Sequence, residues 1–198
     1  MLRYLILDTE PNTRPITLIK AGRDYKRTPK GEIYLDFKLE RYKNTKIREI
    51  TVFDISLKIT DDELEIYENN VYTDIESLLK VNPDDYDYIV GFNALYDLWF
   101  ISCHTYHNYS IEDSDKLAKI FNLPVICLQR RSYFLDKKGH FLSLSKFYDA
   151  LHDEPCDKTK LHGSYYDAEL TSKCLYRIYE LGEDNLIEKI RFKICNYL

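Results

Sequence analysis

The segment Leu2 to Glu10, with the sequence LRYLILDTE, joins a short apolar run to two carboxylates. The run Tyr4 to Leu7 favours β-structure and lacks the spacing of an amphipathic helix, so it predicts a buried central strand. Side chains two positions apart on a strand point to the same face, so Asp8 and Glu10 should converge. Two like charges that close are costly without a compensating cation. The segment therefore predicts either a metal-binding pair or a solvated acidic turn after a strand.

A second segment, DYDYIVGFNALYDLWFI at residues 85 to 101, repeats this arrangement. It predicts a strand at Tyr88 to Gly91 and then a helix, with Asn93 placed so that its side chain caps the first turn. Asp97 lies in a strongly apolar stretch, where an unpaired carboxylate costs several kcal/mol. Either a facing cation or the positive end of the helix must offset that cost.

A third segment, LHGSYYDAELTSKCLYRIYEL at residues 161 to 181, has apolar residues at helical spacing and predicts an amphipathic helix with Asp167 near its start. His162 precedes Asp167 by five residues and falls on the loop that enters the helix. A histidine beside carboxylates titrates near neutral pH and can take a proton from water. A lone loop histidine is more often a bystander, so its interpretation depends on the other two segments.

Together, the three segments resemble the motifs of the DEDDh family. These are ribonuclease H-like 3′ to 5′ exonucleases that include polymerase proofreading subunits and oligoribonucleases. A sister group has a tyrosine four residues before the last aspartate, where this chain has Gly163. The resemblance extends from Leu2 to about Glu180, in motif order. The residues that carry it are Asp8-Thr9-Glu10, Asn93-Ala94-Leu95-Tyr96-Asp97, His162 and Asp167.

The resemblance implies that Asp8, Glu10, Asp97 and Asp167 hold two Mg²⁺ or Mn²⁺ ions, and that His162 is the general base. Two such ions, about 3.5 to 4 Å apart, stabilise charge on the attacking and leaving oxygens of a phosphodiester. Such hard cations prefer carboxylate oxygens. In this assignment Asp8 bridges the ions, Glu10 and Asp167 complete the first, and Asp97 supports the second through water.

The expected function is therefore metal-dependent 3′ to 5′ exonuclease action on single-stranded DNA or RNA 3′ ends. Thr9, Phe92 and Asn93 lie beside the motif carboxylates and are the candidate substrate-binding residues. Pro11-Asn12-Thr13 departs from the family, whose members commonly have small residues and a glycine there that approach the terminal nucleotide. The departure therefore affects the expected pocket for the 3′ end and not the metal ligands. One alternative is a catalytically idle module that binds nucleic acid or a polymerase or replication partner. Another is a two-metal phosphodiesterase that acts on dinucleotides or small nucleotides.

Composition fits one globular domain over residues 1 to 198, with 44% hydrophobic and 31% charged residues. The motifs begin at residue 8, which leaves no space for a signal peptide, and no apolar run approaches the roughly 18 residues of a membrane span. Five scattered cysteines without a CxxC pair favour free buried thiols and an intracellular, cytoplasmic location. Abundant Tyr, Lys, Ile and Asn hint at an AT-rich viral or phage genome, which would mean the host cytoplasm.

Charge is unevenly distributed around a net charge of −5. Residues 12 to 48 carry eleven Lys or Arg against four Asp or Glu, whereas residues 54 to 97 carry two against twelve. The basic part predicts a hairpin of Ile16 to Ile19 and Ile33 to Leu39 around the turn-rich stretch Arg27 to Gly31. It could follow a phosphate backbone, or it could be a solvated edge hairpin. A second basic patch, Gln129 to Arg131 with Lys137 to His140, predicts another hairpin.

The expected architecture is an α/β, ribonuclease H-like fold with a central mixed five-stranded sheet flanked by helices. Three N-terminal strands should open it, and the C-terminal region should be helical, with Asn185 to Leu198 as an amphipathic helix. The elements expected between them are a helix at Asp61 to Lys80, the strand ending at Gly91, helices at Leu95 to Tyr106 and Ile111 to Phe121, and a strand at Pro124 to Leu128.

Overall fold

The computed structural model describes residues 1–11, 25–27, 33–35, 46–60, 63–131 and 141–180. Five of its seven strands form one mixed sheet, and the other two form a separate hairpin. In chain order the strands are β1 (Leu2–Pro11), β2 (Tyr25–Arg27), β3 (Ile33–Leu35), β4 (Ile47–Ile59), β5 (Leu64–Tyr72), β6 (Tyr88–Gly91) and β7 (Val125–Cys127).

The order in the main sheet is β5-β4-β1-β6-β7, which places β1 at the centre. β4 pairs antiparallel with β1 and with β5, whereas β6 runs parallel to β1 and to β7. This confirms the α/β class with a five-stranded mixed sheet. The helices are α1 (Ile75–Leu78), α2 (Ala94–Asn108), α3 (Ile111–Phe121), α4 (Leu128–Arg131), α5 (Leu144–Leu151) and α6 (Ser164–Glu180), with a 3₁₀ turn at Pro83–Asp85.

Helices cover both faces of the sheet, and the described residues form an apolar cluster on each face. One cluster joins α5 and α6 to Tyr4 and Ile6 of β1, and the other joins α2 and α3 to Leu5 and Leu7. These four side chains are 0 to 1% exposed, which confirms the prediction of a buried central strand. The same alternation continues past the apolar run and directs Asp8 and Glu10 toward α6 and Thr9 toward α2.

Gly91 ends β6 at a point where β6, β1 and the start of α2 come very close together. A Cβ at this position would lie 3.0 Å from Cβ of Ala94 and 3.1 Å from the carbonyl oxygen of Leu7. Both distances are tighter than an ordinary van der Waals contact, so a side chain would push α2 away from β1. The absence of a side chain thus lets the first turn of α2 approach the end of β1.

The predicted helix at Asp61 to Lys80 is wrong. Its residues form the edge strand β5 and then only the short helix α1. Most side chains of β5 are exposed, so the segment lacks the strict alternation that marks a half-buried strand. Pairing with β4 overrides the local pattern, as tertiary context commonly does. β4, the longest strand, was not among the expected elements.

The predicted basic hairpins fare differently. β2 and β3 pair antiparallel, with Tyr25 opposite Leu35, so β2 is the partner of β3. The predicted partner Ile16 to Ile19 lies outside the described residues.

The second predicted hairpin is wrong in its first strand, because Gln129 to Arg131 belong to the helix α4. The segment leaves the end of β7 as a helical turn, and Gln129 N–H donates to the carbonyl of Phe92 at 2.8 Å. Lys137 to His140 lie outside the described residues.

Other predictions hold closely. The strand at Tyr88 to Gly91 is β6, and the helices expected at Leu95 to Tyr106 and Ile111 to Phe121 are α2 and α3. The strand expected at Pro124 to Leu128 is β7. The four cysteines within the described ranges are buried and form no disulfide. Every helix in those ranges is too short or too polar to span a membrane. The predicted helix at Asn185 to Leu198 lies outside them.

Candidate metal centre

The end of β1 supplies two carboxylates to the face covered by α6. In the β1–β4 register, Asp8 lies opposite Thr51 and Glu10 lies opposite Glu49. Directly opposed residues of an antiparallel pair share a face of the sheet. Glu49 therefore brings a further carboxylate beside the predicted pair.

Glu10, His162 and Asp167 meet at this place. One potential ligand atom from each lies within 4.8 Å of the other two. Glu10 comes from β1, His162 from the loop before α6, and Asp167 from the first turn of α6. Asp167 is buried, Glu10 is half-buried and His162 is exposed, so the cluster is open to solvent on the histidine side. Two segments that lie far apart in the sequence, one with Glu10 and one with His162 and Asp167, thus meet at one place.

His162 has an unusual backbone conformation. Its φ of 68° lies in the left-handed region, which residues other than glycine seldom adopt. Its N–H donates to Oδ2 of Asp167 at 3.2 Å, and its carbonyl accepts from Nη2 of Arg48 at 3.2 Å. Both backbone polar groups of the histidine are therefore fixed by charged side chains.

Asp97 lies in the first turn of α2 and is 4% exposed. Its Oδ1 accepts two hydrogen bonds from Thr9, one from the backbone N–H at 3.3 Å and one from Oγ1 at 2.8 Å. Asp97 therefore has the first-turn position that the sequence offers as a partial compensation, and it also accepts two hydrogen bonds that the sequence did not predict. The bonds also link α2 directly to the end of β1.

Two buried carboxylate oxygens have no hydrogen-bond partner among the described residues. They are Oδ2 of Asp8 and Oδ1 of Asp167. A buried polar group left without a partner costs about 1 to 3 kcal/mol, and a charged one costs more. Such an oxygen needs an explanation, and a bound ion is one of the usual ones. Hard divalent cations take carboxylate oxygens as ligands, so the donor set fits Mg²⁺ or Mn²⁺.

The pKa values of the four carboxylates are also consistent with a site that binds a cation. Burial raises the pKa of Asp8 well above its ordinary value, and the charges of Asp97 and Asp167 raise it further. Burial raises the pKa of Asp97 to about 7. Burial is also the main cause of the raised pKa values of Glu10 and Asp167, and His162 opposes it in both cases. Without a cation, these carboxylates hold protons more strongly than exposed ones do.

The three candidate substrate-binding residues differ in placement. Thr9 is buried, with both of its donors bonded to Asp97. Phe92 is also buried, and its ring packs against Phe147 with 5.7 Å between centroids. Asn93 is half-buried at the N-cap of α2.

The expected capping bond from the Asn93 side chain does not form. The backbone of Asn93 (φ −121°, ψ 46°) departs from the extended conformation typical of a capping residue, and its carbonyl instead accepts from the N–H of Tyr96 at 2.8 Å.

Tyr165 and Tyr166 pack around the start of α6. Tyr165 is half exposed and its ring meets the edge of Phe53, with 5.2 Å between centroids. Tyr166 Oη accepts from the backbone N–H of Asp157 at 2.8 Å, which ties the preceding loop to the helix. Both tyrosines therefore contact the elements that flank the start of α6.

Sequence reasoning missed the contribution of β4 to the site. Arg48, Glu49 and Thr51 all bond to the loop that carries His162 or to the first residue of α6. A signal was present, because the run ITVFDISL at residues 50 to 57 is rich in β-favouring residues. Placing Glu49 beside Glu10 still requires the strand register, which the sequence pattern does not contain.

No protein-family model, curated protein or solved structure matches this chain. The protein is therefore characterised by its own fold and by the residues of its candidate site. It is an α/β protein with a mixed five-stranded sheet and an acidic, histidine-containing cluster at the end of the central strand.

Proposed function

We propose that this protein is a metal-dependent 3′ to 5′ exonuclease with a ribonuclease H-like fold, acting on single-stranded DNA or RNA. Asp8, Glu10, Asp97 and Asp167 would hold two Mg²⁺ or Mn²⁺ ions, and His162 would be the general base. The observation that carries the proposal is the meeting of Glu10, His162 and Asp167 within 4.8 Å, beside the unpartnered Oδ2 of Asp8.

The sheet topology supports this proposal. β4 and β5 form an antiparallel meander on one side of the central strand β1, and β6 and β7 run parallel to it on the other side, which is compatible with the ribonuclease H-like arrangement. The carboxylates of β1 follow its apolar run, and α2 and α6 bring Asp97 and Asp167 to the same end of that strand. The topology thus provides a physical reason for four carboxylates from three distant segments to act together.

The carboxylates of this chain would act as oxygen ligands. Glu10 and Asp167 face each other across β1 and α6, and the charges of Asp97, Asp167 and Glu10 all raise the pKa of the buried Asp8. When bound, two divalent ions would stabilise negative charge on the attacking and leaving oxygens of a phosphodiester. Binding would also remove the electrostatic cost of ionising the cluster, because cation charge compensates the carboxylates.

His162 is suited to proton transfer. Its side chain is exposed, so a proton taken from the attacking water can pass on to bulk solvent. Its backbone is fixed on both sides, which limits the positions that the imidazole can occupy. A positioned general base contributes about 10²- to 10⁴-fold to rate.

The charge distribution supports a polymeric substrate. The eleven Lys and Arg of residues 12 to 48 offer many sites for backbone phosphates. A small-nucleotide phosphodiesterase would need few such contacts. Charge therefore favours nucleic acid over dinucleotides as the substrate.

Digestion of 5′-labelled single-stranded DNA and RNA oligonucleotides with Mg²⁺ or Mn²⁺ tests the proposal. We expect a ladder that shortens from the 3′ end, is abolished by EDTA and Asp8→Asn, and slows by about 10²- to 10⁴-fold in His162→Ala. His104→Ala, on α2, is the matched histidine control and should digest like the wild type.

Full activity of Asp8→Asn would refute the ligand assignment. A folded protein that binds metal but cleaves neither polymer would contradict the proposal. Cleavage of dinucleotides alone would indicate the small-nucleotide phosphodiesterase. Weak metal binding with intact nucleic-acid binding would indicate the idle module.

A further inference from the structure

We infer that Arg48 is a positioning residue for His162, holding the histidine's loop in the conformation that faces the carboxylates. The inference rests on the proposed function for its catalytic consequence. Its structural part is the set of hydrogen bonds from Arg48 and Glu49 of β4 to the backbone of His162 and Ser164, which we call the latch. This part does not depend on the proposed function.

Arg48 bonds two partners at once. Nη2 donates to the carbonyl of His162 at 3.2 Å, and Nε pairs with Oε1 of Glu49 at 3.2 Å. Oε2 of Glu49 in turn accepts the N–H of Ser164 at 3.3 Å. The two neighbouring side chains of β4 therefore hold backbone groups on both sides of Gly163.

A further contact continues this latch. Oγ1 of Thr51 and Oγ of Ser164 are hydrogen-bonded at 2.9 Å, and both residues are buried. Ser164 is the first residue of α6, so the helix start is fixed to β4 by its backbone and by its side chain. The loop that carries His162 thus enters α6 from an anchored end.

The conformation of His162 explains why such a latch is needed. A left-handed backbone is unfavourable for a residue with a Cβ, and it persists only where surrounding contacts hold it. Here the Asp167 carboxylate holds the N–H and the Arg48 guanidinium holds the carbonyl. Without Arg48, one of these two restraints is lost and the loop can relax toward an ordinary conformation.

The chemistry requires arginine rather than lysine. A guanidinium presents several donors in one rigid plane, so it can bond a carbonyl and a carboxylate together. A lysine ammonium is a flexible point donor and would restore only part of this arrangement. Arg48→Lys should therefore fall between the wild type and Arg48→Ala.

Arg177→Ala is a matched control. Arg177 also donates to a backbone carbonyl, that of Leu151 at 3.2 Å, and pairs with Glu180 at 3.2 Å. It lies near the other end of α6 from His162. Because exposed ion pairs contribute little to stability, both alanine variants should unfold at nearly the wild-type temperature.

Amide hydrogen exchange in the metal-free protein tests the latch without any turnover. Arg48→Ala should raise the exchange rates of the His162 and Ser164 amides by about tenfold or more, since local opening would become easier. Arg177→Ala should leave them unchanged. Unchanged rates in Arg48→Ala would overturn the latch, whether or not the protein is a nuclease.

Steady-state kinetics on a labelled oligonucleotide test the catalytic consequence. We expect kcat to fall about 10- to 100-fold in Arg48→Ala, with KM nearly constant and partial recovery in Arg48→Lys. A raised KM with unchanged kcat and a weaker salt dependence would overturn the positioning role and identify Arg48 as a phosphate contact. An inactive wild type would refute the proposed function, while the exchange result would still decide the latch.

Discussion

Asp97 should destabilise the metal-free protein at neutral and alkaline pH, and Asp97→Asn should remove that effect. The carboxylate is 4% exposed, and burial raises its pKa from 3.8 to about 7 despite two hydrogen bonds from Thr9. Asparagine keeps an oxygen to accept those bonds and cannot ionise. The variant therefore isolates the free energy of placing a negative charge at this position.

The direction of the pH dependence of stability follows from the linkage between proton binding and folding. Between pH 3.8 and about 7 the folded protein keeps a proton on Asp97 that the unfolded chain has lost. Stability therefore falls as pH rises through this window, and the loss is complete above it. The shift corresponds to about 4 kcal/mol. Asp97→Asn should equal the wild type at low pH and exceed it by about that amount above pH 8.

Urea denaturation with EDTA, followed across this pH range, measures the difference directly. Asp54→Asn is the matched control, because Asp54 is 1% exposed but accepts from Asn69 and Tyr86 and pairs with Arg3. Losing charge-assisted bonds there should destabilise by about 1.5 to 3 kcal/mol. The reasoning would be refuted if Asp97→Asn gave no stabilisation at high pH, or the same stabilisation at low pH.

Two further substitutions test the packing around the site. Thr9→Val removes the Oγ1 donor that lies 2.8 Å from Asp97 and should cost about 1 to 3 kcal/mol in urea titrations above pH 7, whereas Thr9→Ser should not. Gly91→Ala places a Cβ 3.0 Å from that of Ala94 and should cost about 1 to 3 kcal/mol, seen as a lower Tm. Gly163→Ala is its control, since the nearest atom there is 3.5 Å away.

Local sequence patterns were sufficient for the elements around the motifs. β1 and β6 are short apolar runs covered on both faces, and α2 is long and strongly apolar with Asn93 at its start. Each of these segments carries its own signal, because burial on both faces needs continuous apolar residues. The predicted bounds therefore differ from the observed ones by only a few residues.

β4 carries a β-favouring run at residues 50 to 57 that sequence reasoning missed, whereas β5 has no comparable local signal. The middle of β4 contains Asp54, whose burial depends on Arg3, Asn69 and Tyr86 from three other segments. The exposed edge strand β5 has few buried side chains to impose a period on the sequence. β4 also pairs with the distant β1, and β5 is held by pairing with β4, and neither contact can be read from the residue pattern of one strand.

The site, like the fold, has some features that the sequence predicts and others that only the structure reveals. Motif spacing was sufficient to single out Glu10, His162 and Asp167, and the structure brings them together. It could not predict the bond from Thr9 to Asp97, because this depends on how closely α2 approaches β1. Nor could it predict the latch on His162, which depends on the strand register of β4.

Titration of Mn²⁺ into the metal-free protein, by calorimetry and by electron paramagnetic resonance, tests the central claim most directly. The carboxylate cluster should bind two ions per chain, close enough to couple magnetically. Asp8→Asn should lose the coupled pair, and Asp54→Asn, whose carboxylate lies in a separate network, should retain it. Absence of Mn²⁺ binding, or a coupled pair that survives in Asp8→Asn, would contradict the account.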